Sequence, residues 1–296
     1  MILSLIMIIG QQIAGSSCEQ KNIGVRTVVN KLNTINNKFR VFQMELLAGE
    51  PDFIVQHWET NCKFTFDFTK VYWNSRLHTE HARLVDKFTP EDVIADVFAG
   101  VGPFAVPAAK KGCGVLANDL NPSSHEYLQV NISGNNVRVA SLCFECVTID
   151  FFISVFGFQV GSLVRASCQD GREFIRSVIT RALDEPLPPA APPLSKSKET
   201  KAKKLAKLKG QRSRSSSPER IGPQRNRVTQ FVMNLPDSAI QFIDAFRGVL
   251  SPTHTGGRDL SGIYDDSHLP MVHCYCFTRE LELDKAEVDI RQVSTQ

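Results

Sequence analysis

Paired cysteines are scarce in this chain. The eight that it has (Cys18, Cys62, Cys113, Cys143, Cys146, Cys168, Cys274 and Cys276) are scattered over 296 residues, too thinly for a disulfide scaffold and without the spacing of a zinc site. The lone Cys143-Phe-Glu-Cys146 has no second pair at ligand distance and reads as chance, so no metal is expected and a reducing compartment is the default. An excess of charge is missing too. Against 34 Lys and Arg stand 31 Asp and Glu, a formal +3, which permits a nucleic-acid partner without arguing for one. Nor is there an apolar run of membrane-spanning length. Met1 to Ile9 is apolar and Ala14-Gly-Ser16 follows it, resembling a signal-peptide core and cleavage site. No Lys or Arg precedes the run, however, so a buried strand or a wrongly chosen start codon is the plainer reading and secretion the alternative.

What is there suits a globular protein of one large or two modest domains, with 42% hydrophobic and 22% charged residues. Residues 1–20 are an atypical amino terminus. From 21 to 70 the pattern is strand-like: Val28-Val29, Phe39 to Leu47, Phe53 to Val55 and Phe64 to Phe68 alternate near period two, divided by turn signals at Gly49-Glu-Pro51 and Asn61. A small β-rich module, one antiparallel sheet of hairpins, is expected. Leu77, His81, Leu84, Val85 and Phe88 then share a helical face until Pro90. A βαβ rhythm follows, with strands at Val93 to Phe98 and Val115 to Asn118 and helices at Pro103 to Lys111 and Pro122 to Asn131. This first half of an α/β domain spans 71–183, broken by an anomalous hydrophobic insert at 138–160, and resumes with a strand at Leu163 to Ser167 and a helix over Phe174 to Leu183. Residues 184–227, rich in Pro and then in Lys, Arg and Ser, read as a disordered basic linker. The second half, 228–296, offers a strand at Val228 to Met233, a helix from Ser238 to Val249 and a strand at Met271 to Phe277, and looks truncated. The fold expected is α/β, a Rossmann-like sheet with a small N-terminal β-rich module.

The chemistry gathers at strand ends. Asp96-Val-Phe98-Ala-Gly100-Val-Gly102-Pro103-Phe104 puts two glycines in the turn leaving a buried strand, where backbone N–H groups can approach a ligand. It lacks the third glycine of the dinucleotide fingerprint, and alone says only that a nucleotide-like ligand sits there. Asp119 ends the second strand, where a carboxylate can accept from ribose hydroxyls, and Asp170 ends the third. Asn234-Leu-Pro236 closes the fourth; its amide presents both a donor and an acceptor, which suits the edge of a planar base, though Asn and Pro are also common turn residues. Glu80 stands at the start of the helix before the cofactor strand. It is either a favourable first-turn acid or a general base for methylating a proton-bearing ring nitrogen, with Arg76 and Arg83 available for phosphate or charge.

Phe39-Arg40-Val-Phe-Gln-Met-Glu45-Leu-Leu-Ala-Gly49, Val71-Tyr72-Trp-Asn74-Ser-Arg76-Leu-His-Thr-Glu80, the Asp96 to Phe104 turn, Asp170-Gly171-Arg-Glu-Phe174 and Asn234-Leu-Pro236 together resemble the archaeal and eukaryotic tRNA (guanine(37)-N1)-methyltransferase family, over most of residues 21 to 280 outside the two inserts. The resemblance implies a class I methyltransferase that uses S-adenosyl-L-methionine to methylate N1 of guanosine 37, beside the tRNA anticodon, protecting the reading frame. It implies Glu80 as general base, Arg40 as the charge-stabilising arginine and Asn234 as their catalytic partner. Around the cofactor it places His81, Phe98, Gly100, Gly102 and Pro103, then Asp119, Leu120, Asp170, Gly171 and Asn234. On the substrate side it places Tyr72, Asn74, Arg76 and Pro236. The partner implied is the tRNA anticodon stem-loop, with no membrane; the protein is expected to be a monomer of the cytoplasm, and also of the mitochondrial matrix and nucleus. Three segments depart from the family: Met1 to Cys18, the 138–160 insert, whose composition is that of a translated intron, and the end after Glu280. An imperfect gene model of a real enzyme is the expectation. The rivals are the wybutosine-pathway transferase, which moves the aminocarboxypropyl arm of the same cofactor onto tRNA, and an inactive RNA- or cofactor-binding remnant.

Overall fold

The computed structural model describes residues 5–8, 25–32, 39–41, 43–135, 163–190, 225–278 and 280–295. The expected insert at 138–160 and most of the expected basic linker lie outside them.

The amino-terminal region forms two sheets, where its alternation suggests one. β1 (Leu5–Ile8) runs parallel to β2 (Val25–Lys31), which pairs antiparallel with β3 (Met44–Gly49). β4 (Ile54–Glu59) and β5 (Cys62–Asp67) form a hairpin by themselves. Both turn signals take the left-handed conformation that their residue types favour, Gly49 at φ +83 and Asn61 at φ 57. The hairpin is drawn away by its packing. Cys62, Phe64 and Phe66 are fully buried in the same core as the parallel sheet, and the Thr65 and Lys63 N–H groups donate at 2.8 Å to the Asn131 and Asn135 side chains, which covers what would otherwise be an open strand edge.

A short 3-10 turn, Ser75–Leu77, leads into α1 (His78–Lys87), whose buried face is His81, Leu84 and Val85. β6 (Val93–Asp96), α2 (Ala105–Lys110), β7 (Gly114–Asn118), α3 (Pro122–Gly134), β8 (Val164–Ser167) and α4 (Gly171–Asp184) follow in the expected order. All nine residues of β6 and β7 are buried, as central parallel strands covered on both faces must be. Asn121 caps α3, with Pro122 in its first turn. α4 starts three residues before the expected Phe174, because the Asp170 carboxylate accepts the Arg172 N–H at 2.8 Å and caps it there.

β9 (Gln230–Met233) and β10 (Met271–Cys274) complete a five-stranded, all-parallel sheet of order β10-β9-β6-β7-β8, and α5 (Leu283–Thr295) ends the described chain. The chain runs outward from β6 to β8, then crosses to the other side of β6, so the strand order reverses between β6 and β9. In open α/β sheets that reversal opens a crevice at the carboxyl edge. One core lies under α1, α2, α3 and the hairpin; the other, on the opposite face, under α4.

Three expectations are corrected. The helix expected from Ser238 to Val249 is a 3-10 helix, Ala239–Phe246; Ala239, Phe242 and Ala245, the residues it turns to the core, are spaced by three, the period of that helix. The last strand stops at Cys274, not Phe277, since Tyr275 and Phe277 donate singly to the Met233 and Pro236 carbonyls and follow the turn after β9. The linker expected to be disordered from 184 is ordered at both ends. Leu187 is buried and bridges Arg225, whose guanidinium donates to the Pro90 and Gly112 carbonyls at 2.7 Å. Composition averaged over the segment hides one core leucine and one anchoring arginine. Among the described residues no helix is long and apolar enough to cross a membrane.

Candidate functional site

The glycine turn after β6 is built tightly. Gly102 has φ +99, and a Cβ there would lie 2.8 Å from Leu128 and Val106 side-chain atoms; Gly100, at φ +54, faces open space. Gly102 thus answers to packing, while Gly100 leaves open space beside the turn. Asp119 holds the turn: its two carboxylate oxygens accept from the Gly100 and Asn121 N–H groups at 2.8 Å. Burial is the main influence on that carboxyl and raises its pKa, against those two bonds. Asp96, which ends β6, is fully buried, and burial first, then the Asp119 charge, pushes it well above the usual carboxylate range. Asn118, beside Asp119, ties three strand ends together, donating to the Val97 and Gln169 carbonyls and accepting from Gln169 N and Ser167 Oγ. Phe98 meets Phe242 edge-on at 4.9 Å, and the two rings close on Gly171, where a Cβ would lie 2.8 Å from Phe98. Pro103 and Leu120 are half-buried beside the turn.

Next to this turn is a cavity of about 100 Å³ lined by Leu77, Glu80, His81, Phe104, Asn234, Pro236, Tyr275, Cys276 and Phe277. Four residues singled out from the sequence thus meet in one place, brought from α1 and from the turn after β9. The Glu80 carboxylate is gripped by three donors: Arg83 Nε and Nη2 at 2.6 and 2.5 Å, and the Tyr275 hydroxyl at 2.8 Å. The Arg83 guanidinium, chiefly, pulls the carboxyl down to about 2 against the effect of partial burial, and Tyr275 adds to it. Tyr275 is pushed up in turn, by burial and by Glu80. Arg83 is therefore a clamp on Glu80 in this structure.

Arg40 does not line the cavity. Its guanidinium reaches Asp237 at 3.2 Å and Ser238 Oγ at 3.2 Å, at the edge of the turn that carries Asn234 and Pro236. Its φ of 55 is left-handed, uncommon for a residue with a side chain. Asn74 caps the 3-10 turn before α1, accepting the Arg76 N–H at 3.1 Å; Arg76 and Tyr72 are exposed in the same segment and, like Asn74, do not line the cavity. Tyr275, Phe277 and Asp237 were not singled out from the sequence. Tyr275 gave no signal, because the expected strand ran on to Phe277 and placed it inside, whereas the strand ends at Cys274. Asp237 had none, because its partner is 197 positions away in sequence. Among the described residues no group of three or more His, Cys, Asp or Glu is placed to hold a metal ion.

Residues 55–176 match the family model described as the TRM5/TYW2 methyltransferase domain. A tRNA (guanine(37)-N(1))-methyltransferase of Coprinopsis cinerea is 50% identical over 284 residues, covering 95% of this chain and 56% of the relative. The chain spans about half the length of the curated relatives it matches. The crystal structure of Trm5b from Pyrococcus abyssi has a TM-score of 0.58 at 21% identity, over 100% of this chain and 65% of that one. P. horikoshii TYW2 in complex with MeSAdo gives 0.53 at 14%, over 100% of this chain and 78% of that one. At such identities these two structures speak for the fold.

Proposed function

Since the chain belongs to the TRM5/TYW2 methyltransferase family, we infer that it transfers a methyl group from S-adenosylmethionine to N1 of guanosine 37 in tRNA. The observation that carries this is the meeting of Glu80, His81, Asn234 and Pro236 around one cavity beside the glycine turn.

The residues present fit the cofactor. Gly100 leaves open space where a side chain would stand, and Asp119, Asp170, Gly171 and Leu120 stand at neighbouring strand ends, with Phe98 and Pro103 flanking the turn. When bound, S-adenosylmethionine supplies a methyl group on a positively charged sulfur. Asn234 offers the base edge a donor and an acceptor, and Pro236 gives its ring an apolar wall. Glu80 takes the N1 proton, and Arg40, which must leave Asp237 to reach the base, balances the charge that grows on the base O6. A carboxyl held down at about 2 is charged at neutral pH but a weak base, so the Arg83 clamp must loosen as the base arrives. The cavity must widen as well, since about 100 Å³ is well below the roughly 300–1,000 Å³ of ligand pockets. A guanine flipped out of the anticodon loop, with Tyr72, Asn74 and Arg76 on its approach, would supply the force for both. We place the protein in the cytoplasm, the mitochondrial matrix and the nucleus, acting as a monomer.

The test is methyl transfer by the purified chain from labelled S-adenosylmethionine to a tRNA transcript bearing guanosine 37. Label should appear in that transcript and vanish when adenosine replaces the base. No transfer by a chain that binds the cofactor would sink the reading, and a product heavier by the aminocarboxypropyl arm would replace it with the wybutosine-type reaction.

A further inference from the structure

Behind the cavity lies a pair of buried polar residues of which one, Glu59, has no part in the reading above. We propose that Glu59 is a positioning residue: it fixes His81 as the Nδ1–H tautomer, so that Nε2 offers its lone pair to an N–H or O–H donor of S-adenosylmethionine. This rests on the methyltransferase reading and extends it to a residue outside the glycine turn.

Glu59 ends β4 and His81 lies in the first turns of α1; they are 7% and 3% exposed. The His81 Nδ1 and Glu59 Oε1 atoms are 2.5 Å apart. An ionised carboxylate can only accept, so the shared proton belongs to the imidazole and marks Nδ1 as the donor. The ring cannot turn away: it stands edge-on to Phe104 at 4.8 Å and tilted against Trp73 at 6.4 Å. Its other nitrogen, Nε2, is buried with no hydrogen-bond partner, while the ring lines the cavity with Asn234 and Pro236. A buried acceptor without a partner is a cost to the free protein that a ligand donor removes on binding. The α-ammonium and the ribose hydroxyls of the cofactor are such donors. Were Glu59 instead protonated, it would donate to Nδ1, and Nε2 would present N–H and select a ligand acceptor. The tautomer therefore decides which part of a ligand His81 can meet. Position in the hairpin accounts for the rest: the β4–β5 packing that separates the hairpin from β2 and β3 also carries Glu59 under α1.

The test uses the full chain labelled with nitrogen-15 histidine. Long-range proton–nitrogen correlation at neutral pH should show His81 with Nδ1 protonated and Nε2 bare, and the Nε2 signal should move when S-adenosylmethionine is added. Glu59→Gln keeps the shape but can donate or accept, so the tautomer should become mixed and the Kd for S-adenosylmethionine should rise about tenfold. Glu59→Asp, which keeps the charge, should restore part of that loss. An Nε2–H tautomer or a doubly protonated ring in the parent protein would overturn the proposal, whether or not the Gln variant folds. So would an unchanged Kd in a folded Glu59→Gln. A parent protein that binds no S-adenosylmethionine would sink the methyltransferase reading and this ligand with it; normal parental binding with either result just named would sink the role of Glu59 alone.

Discussion

The two sides of the crevice are held by different kinds of bond. On the cofactor side, Asn118 and Asp119 bind backbone groups of the turn and of neighbouring strand ends, and the packing around Gly102 leaves no room for a methyl group. On the substrate side the contacts run between side chains. Arg83 grips Glu80 and Arg40 grips Asp237, with Arg83 and Asp237 more than half exposed. Breaking the first set would strand buried backbone groups without partners, whereas exposed ion pairs contribute only about 0–1 kcal/mol and exchange readily with other partners. One side is preformed and the other latched. That division suits a site that keeps a small ligand in a fixed place and must admit the base of a large one.

The sharpest way to break the comparison is to treat the two glycines alike. Gly102→Ala meets both a left-handed φ and two side chains at 2.8 Å, so it should cost about 2–4 kcal/mol of stability in urea unfolding. Gly100→Ala, with the same kind of φ but nothing within 4 Å, should cost about 1 kcal/mol while weakening S-adenosylmethionine binding. Equal unfolding losses would erase the distinction between packing and ligand space. Asn118→Ala comes between them, at about 2 kcal/mol, because it leaves the Val97 and Gln169 groups unpaired. A loss below about 0.5 kcal/mol would show that the strand ends are held together without it.

The same contrast explains what was legible in the sequence. The cofactor side is local: strand, glycine turn, helix and the next strand end follow one another between Val93 and Asp119, and each element carries its own signal of burial, period or turn residue. Every strand of the parallel sheet was expected from that signal, with ends that moved by one to three residues. The substrate side is assembled from pieces that no local pattern connects. Glu80 and Asn234 could be suspected from their residue types and their places at element ends. Tyr275 and Glu59 become visible only when the end of β10 and the hairpin are brought against α1, and Asp237 only when the turn after β9 meets Arg40. The separation of the hairpin from β2 and β3 was hidden for the same reason, since period two marks a strand but does not name its partner.

The smallest effect tests the latch directly. Arg83→Gln removes the main influence on Glu80, whose carboxyl should climb from about 2 toward the ordinary 4.5. The sign follows from linkage: a carboxyl depressed in the folded state adds stability above its unfolded pKa, and that stability fades as pH falls through the folded value. The parent chain should therefore lose this contribution between pH 4.5 and about 2, and the variant should have little of it to lose. Because Glu80 and Arg83 both reach solvent, the change in stability at neutral pH should be smaller than that of any of the three substitutions above. The Glu80 carboxyl can be followed by carbon-13 labelling of glutamate. If it still titrated near 2 without Arg83, the clamp would lie elsewhere, with Tyr275 the remaining donor on it, and the substrate side would be less readily opened than its exposed ion pair implies.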